Sequence, residues 1–290
     1  MSLTAKILAA AAVVALGFAG CNKADTKQAT EPASPPVSTA KDSKAASQPA
    51  PEEPAARPAS GVALLRAPNG GIQPQAVVDA KGTLHLIYFK GDNPGAGDLF
   101  YVRRGAGAER FSEPIRINSR PRSACAVGSV RGGQIALGKG GRPHVVWNGA
   151  GTDYTRLNDA GTGFEEQRNL MRETETPDGG GTVAADDAGN VYVVWHGVRK
   201  GERGEDKRKV WVARSADEGK TFSVEAPAWA EPTGVCACCS TRAFTDRNGA
   251  VYVLYRSATA QVNRDTYLLV SRDRGKSFEK AFIHKWKVPG

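Results

Sequence analysis

The chain has 290 residues, 40% of them hydrophobic and only 7% aromatic, with 39 basic and 30 acidic side chains and a formal charge of +9. Six of the basic and five of the acidic residues precede position 61, which leaves 33 against 25 and a net charge of about +8 on the remainder. That excess suits an anionic ligand, such as an acidic sugar or a phosphate-bearing envelope glycan, as well as simple solubility, and no nucleic-acid-binding motif accompanies it.

Residues 1–20 read as a secretory signal. Lys6 gives the positive start, residues 7–16 form a short apolar core, and Ala19 and Gly20 lead into Cys21. The core is too short for a stable membrane span. The Phe18-Ala19-Gly20-Cys21 ending resembles a bacterial lipobox, which implies lipidation at Cys21 and an envelope protein held by an N-terminal lipid anchor, at the outer membrane. Asn22 follows, and nothing argues for inner-membrane retention; whether the protein faces the periplasm or the exterior stays open. The alternative is an ordinary cleaved signal. Residues 21–60 are rich in Ala, Pro and Ser, have balanced charge and lack aromatic residues. Such a stretch buries too little apolar surface to offset the entropy of ordering, so it is expected to be a disordered tether. Residues 61–290 are expected to form the folded domain.

Within that domain one pattern returns four times: a short apolar run, a polar turn with glycine, then an alternating segment. The copies are residues 76–89, 135–148, 183–196 and 243–256, with turn glycines Gly82, Gly141, Gly189 and Gly249 spaced by 59, 48 and 60 residues. An all-β repeat of about fifty residues predicts β-propeller blades rather than a sandwich.

The second half of each repeat ends in another turn. It reads Ser215-Ala-Asp217-Glu-Gly219-Lys-Thr-Phe222 in the third copy and Ser271-Arg-Asp273-Arg-Gly275-Lys-Ser-Phe278 in the fourth. Both resemble the Asp box of bacterial sialidase-type propellers, the BNR repeat. The second copy keeps Asp159, Gly161 and Phe164, and the first only Phe111; these phenylalanines are spaced 53, 58 and 56 residues apart, in phase with the glycines. The resemblance implies an all-β, sialidase-like propeller whose box turns join the third and fourth strands of each blade, away from the active face, with structural rather than catalytic aspartates. Outer strands are expected from each box phenylalanine: residues 111–118, 164–170, 222–229 and 278–286. A further β-like segment, residues 62–67, has no blade of its own. In the family such a strand closes the ring on the last blade, so the four visible blades are expected to be part of a truncated six-bladed propeller; a genuine four-bladed ring is the alternative.

Ligands of a propeller sit on the face where the inner strands begin. Counting back from the turn glycines places Gln75, Gln134, Thr182 and Arg242 at one equivalent position, four polar side chains expected around a common axis. Arg131 and Asp178 lie in the loops leading there and are further ligand candidates. The resemblance implies, for a sialidase, an arginine cluster, a Tyr nucleophile helped by a Glu, and an Asp acid/base. The first arginine enters through an Arg-Ile-Pro motif, and Ile72 stands in its place in Gly71-Ile72-Gln73-Pro74. Catalytic residues therefore stay unassigned. The expected role is binding of an anionic glycan or an envelope protein without sialidase turnover, with an exo-sialidase-type hydrolase as the alternative.

Cysteines are the other unusual feature. Cys236, Cys238 and Cys239 form a Cys-x-Cys-Cys cluster, and Cys125 lies in the equivalent loop two blades earlier. In an exported chain these predict a disulfide, Cys125 with one of the three. No cofactor or metal is expected under that reading. A soft-metal site, copper or zinc, is the alternative, against which the four histidines, placed in strands or outer segments, offer no obvious extra ligand.

Overall fold

The computed structural model describes residues 64–128, 132–175, 179–231, 233–236 and 238–288. The signal, Cys21 and the tether lie outside them, as do Arg131 and Asp178.

The described chain is four antiparallel sheets in sequence. The first is β1 (Ile72–Val78), β2 (Leu84–Asn93), β3 (Ala96–Arg104) and β4 (Ile115–Arg116). The second is β5 (Gln134–Leu137), β6 (Pro143–Asn148), β7 (Thr152–Arg156) and β8 (Arg168–Asn169). In the third, β10 (Thr182–Ala185), β11 (Val191–Arg199), β12 (Lys209–Ser215) and β13 (Ala226–Pro227) are joined by a short extra strand, β9 (Thr174–Glu175), on the far end of β11. The fourth is β14 (Arg242–Thr245), β15 (Val251–Arg256), β16 (Thr266–Ser271) and β17 (Glu279–His284). Inner strands are neighbours from sheet to sheet: β1 beside β5, β5 beside β10, and β10 beside β14. Successive four-stranded meanders with adjacent inner strands are the blades of a β-propeller.

The core lies between blades rather than inside them. Alternation sends Ile87, Phe89, Leu99 and Tyr101 of blade 1 against Val145 and Trp147 of blade 2. Tyr154 and Val146 of blade 2 meet Val191, Val193 and Trp195 of blade 3, whose other face packs on Val251, Val253 and Tyr255 of blade 4. The run Pro143–Asn148 is buried at every position because both its faces are covered.

Both complete Asp boxes brace their turns. Ser215 Oγ donates to Asp217 Oδ1 at 2.6 Å and accepts the Gly219 N–H at 2.8 Å, while Asp217 accepts from the Thr221 N–H and hydroxyl at 2.9 and 2.6 Å. Ser271, Asp273, Gly275 and Ser277 repeat the set within 2.6–2.9 Å. Phe222 stacks edge-on against Tyr154 of the preceding blade, and Phe278 packs into the layer between blades 3 and 4. Asp159 departs from the expected box role. Its neighbour Asn158 accepts the Thr162 N–H at 3.1 Å instead, and the exposed Asp159 carboxylate pairs with Arg142 at 2.7 Å. Blade 2 has Leu157 where the box serine stands, so no hydroxyl turns the carboxylate inward.

Two other expectations are corrected. In blades 1 to 3 the outer strand starts late: one bond, such as Ser112 N–H to Arg103 O at 2.8 Å or Ser223 N–H to Arg214 O at 2.8 Å, follows the box position, and the ladder resumes only at β4, β8 and β13. In blade 1, Pro114 lacks the N–H that continuous pairing needs. Residues 64–67 form no strand; Leu64 and Leu65 are exposed, and Ala67 packs on Leu86, Tyr88 and Val102 on the outer side of blade 1.

Candidate functional site

Register bears out the equivalence read from the glycines. Gln75 pairs with Ile87, Gln134 with Val146, Thr182 with Val194 and Arg242 with Leu254, the same rung in each blade. Ser215 is level with Val191 and Ala185, at the other end of blade 3, so the box turns occupy the opposite face.

The four equivalent residues are not an open polar ring. Gln134 and Thr182 are buried, and the Thr182 hydroxyl accepts the Ala243 N–H at 3.2 Å, tying blade 3 to blade 4. Gln75 is half-buried. Arg242 alone of the four is exposed, with Nη1 donating to Ser240 Oγ at 2.7 Å and to Thr241 O at 3.3 Å. Loss of hydration among surrounding atoms lowers its pKa below the usual arginine value. Ile72 is exposed, and next to it Gln73 reaches across, its Nε2 donating to Ala126 O at 2.8 Å and to Gly128 O, so the entrance of blade 1 is filled by a neutral amide.

Two residues that hold this face were not singled out from sequence. Buried Glu225, before β13, accepts with one oxygen the N–H groups of Arg172, Glu173 and Thr174 and the Thr174 hydroxyl, all at 2.8–3.1 Å, and so fixes the start of the loop leading to β10. His196, on β11, has Nε2 3.1 Å from the Cys239 carbonyl. A carbonyl only accepts, so that nitrogen carries the proton.

The cysteine loop is pinned at both ends. Val235 enters the layer between blades 3 and 4, the Cys236 N–H bonds to Arg256 O at 2.9 Å, and the Cys239 N–H closes a turn onto Cys236 O at 3.2 Å. Cys236 Sγ lies 3.4 Å from Cys238 Sγ and 2.9 Å from Cys239 Sγ; the third side is 3.9 Å. Arg256 Nη1 is 3.1 Å from Cys239 Sγ. Cys125 is not in this group: its N–H bonds to Asn148 O at the end of β6, and all four thiols are free, so the expected bridge to Cys125 is not formed. The Cys125 backbone is held to blade 2, while the cluster hangs between blades 3 and 4.

The opposite face carries a groove of about 720 Å³ between blades 3 and 4, lined by Asp186, Asp246, Arg247, Arg272 and Arg274 among others. Two of its aspartates already brace turns: Asp186 Oδ1 accepts the Asn190 N–H and Asp246 Oδ1 the Asn248 and Ala250 N–H groups, all at 2.9 Å.

No family model matches this chain, and no curated protein does. Among solved structures it is similar to a protein of unknown function from Dyadobacter fermentans, 16% identical, over 72% of this chain and 68% of that one, with a TM-score of 0.52. It is also similar to the NanB sialidase of Streptococcus pneumoniae (12% identical, 63% and 27% covered, TM-score 0.44) and to an α-L-arabinanase of Penicillium chrysogenum (12%, 73% and 66%, 0.47). The chain thus spans about a quarter of the sialidase's length. At these identities the likeness is one of fold, and a fold hosts many chemistries.

Proposed function

We propose that this chain is a lipid-anchored envelope propeller that binds an anionic glycan on the face where its inner strands begin, without cleaving sialosides. The observation that carries the reading is Arg242: an exposed guanidinium at the first residue of an inner strand, held by Ser240 and Thr241 and paired with no carboxylate among the described contacts. The charge of about +8 on residues 61–290 supports the same ligand class by raising its local concentration. Ile72 supports the absence of sialidase turnover, because an alkyl side chain cannot replace the bidentate, charge-assisted contact of an arginine with a carboxylate. Anchoring through Cys21 belongs to the same reading, and radiolabelled fatty acid incorporated into the native chain and not into Cys21→Ser tests it.

For the ligand, the full chain is passed over an immobilised uronate polysaccharide at rising ionic strength, and a fluorogenic sialoside is assayed in parallel. Weak binding that fades with salt and drops in Arg242→Ala is expected, with turnover at background. Turnover that disappears in Arg242→Ala would make the chain a divergent hydrolase. Absence of polysaccharide binding at low salt would overturn the glycan reading and leave an envelope protein as the partner.

A further inference from the structure

We infer that Cys236, Cys238 and Cys239 form a three-thiolate site for one monovalent soft metal ion, copper(I). Sulfur–sulfur separations of 3.4, 2.9 and 3.9 Å describe a triangle rather than a row. Its circumradius is about 2.0 Å, so an ion with metal–sulfur bonds of about 2.3 Å rests about 1 Å out of the sulfur plane, equidistant from all three.

Sulfur-only donors select soft ions. A divalent zinc ion in a structural site asks for a fourth protein ligand, and the described Cys, His, Asp and Glu side chains supply three to this group. His196 is close, but it is not among the side chains whose ligand atoms converge here, and its Nε2–H is directed at the Cys239 carbonyl, so it positions the loop rather than coordinating. Three thiolates around a monovalent ion carry two negative charges. Arg256 lies on Cys239, and Arg264 acts electrostatically on Cys236 and Cys238 while also pairing with Glu205 at 3.1 Å. Cations at this position stabilise the thiolate form.

Protons balance as follows. Each thiol releases its proton to solvent as its sulfur coordinates, three per ion bound. Metal binding and proton release are therefore coupled, and retention weakens as pH falls. Cys236 is buried and Cys238 exposed, which gives the ion a fixed floor and an open side for entry.

The experiment is an anaerobic titration of the fully reduced 290-residue chain with copper(I) against a coloured copper(I) chelator, with X-ray absorption of the loaded protein. One copper per chain in a shell of three sulfurs is expected. Cys238→Ser, at the exposed position and thus safe for folding, should weaken retention by more than about 100-fold, beyond the usual cost of losing an outer-shell partner. Cys125→Ser and Cys21→Ser should leave retention unchanged. The inference is overturned if the chelator strips the native chain as readily as Cys238→Ser, if Cys125→Ser also loses the ion, or if zinc(II) is held one to one and copper(I) is not. A chain isolated with Cys236 and Cys239 oxidised to each other that binds no copper after reduction would make the loop a redox pair instead.

Discussion

His144 Nδ1 lies 2.7 Å from the Tyr154 hydroxyl, one strand away, in a layer sealed on the other side by the box turn of blade 3. Blade 1 repeats the pair, His85 Nδ1 to Tyr101 at 2.7 Å. In blade 2 the pair is fully buried, and burial, reinforced by Arg156 and Arg142, pushes the His144 pKa down from 6.5 to about 3.

A pH dependence follows from that shift. Below pH 6.5 the unfolded chain takes up a proton at this histidine, while the folded chain refuses it until about pH 3. The unfolded state thus binds more protons across that window, and stability falls as pH drops through it, by up to about 1.4 kcal/mol per pH unit from this group. Urea unfolding midpoints measured from pH 7 to pH 4 should decline. His144→Gln, whatever its effect at pH 7, should flatten the decline; an unchanged slope would show that His144 protonates freely in the fold.

The same layer makes Gly219 irreplaceable. Its φ is +78°, and an added Cβ would sit 1.8 Å from the Tyr154 hydroxyl. Gly161, its counterpart in blade 2, also has positive φ, +68°, but opens onto empty space. Gly161→Ala therefore pays only for the left-handed backbone, about 1 kcal/mol, while Gly219→Ala adds overpacking and should cost on the order of 3 kcal/mol. Chemical denaturation of the two variants side by side separates the terms; equal losses would mean that Tyr154 moves aside without cost.

The repeat was legible because each unit builds the same local structure: glycine at a positive-φ turn, alternation on the strands, serine and aspartate in the box. Those signals lie within about ten residues of one another, and they placed Gln75, Gln134, Thr182 and Arg242 on one rung. What they did not carry was exposure. Gln134 and Thr182 look as polar as Arg242 in sequence, but their strands are flanked on both sides, β5 by β1 and β10 and β10 by β5 and β14, and are buried there. Likewise His196 and Cys239 are 43 residues apart, and Glu225 reaches Thr174 across 51; no spacing rule links them. The Cys-x-Cys-Cys motif was visible, but its convergence into a triangle depends on the turn between Cys236 and Cys239.

Asp217 and Asp159 occupy equivalent box positions and should behave differently. Asp217 is held to about 2 by hydrogen bonds from Ser215 and Thr221, which outweigh the opposing effect of burial. Its contribution is present above pH 3.8 and is lost as pH falls through about 2. At pH 7, Asp217→Ala removes charge-assisted bonds and should cost about 2 kcal/mol. Asp159→Ala removes an exposed carboxylate from Arg142, which keeps Glu218 and the Leu157 carbonyl, and should stay within about 0.5 kcal/mol. Thermal unfolding of both variants checks the contrast, and similar losses would restore Asp159 to a box role.

Blade 4 presents an uncovered apolar face. On its side away from blade 3, Phe244 is 64% and Leu254 41% exposed, and Tyr252 and Val270 share that face by cross-strand pairing. The inner strand β14 alternates exposed and half-buried residues, whereas β10, covered on both sides, is buried throughout. A contiguous exposed patch of this kind drives self-association, and the open strand edge beside it offers unpaired backbone groups. Phe244→Glu places a charge at the centre of the patch, where the ring lies beside Tyr252 at 6.3 Å between centroids and is 64% exposed. Little packing is lost, so the unfolding midpoint should hardly move, while light scattering of the 290-residue chain at high concentration should drop. A fall in stability of more than about 1 kcal/mol would show that Phe244 is packed in solution and that the face is covered.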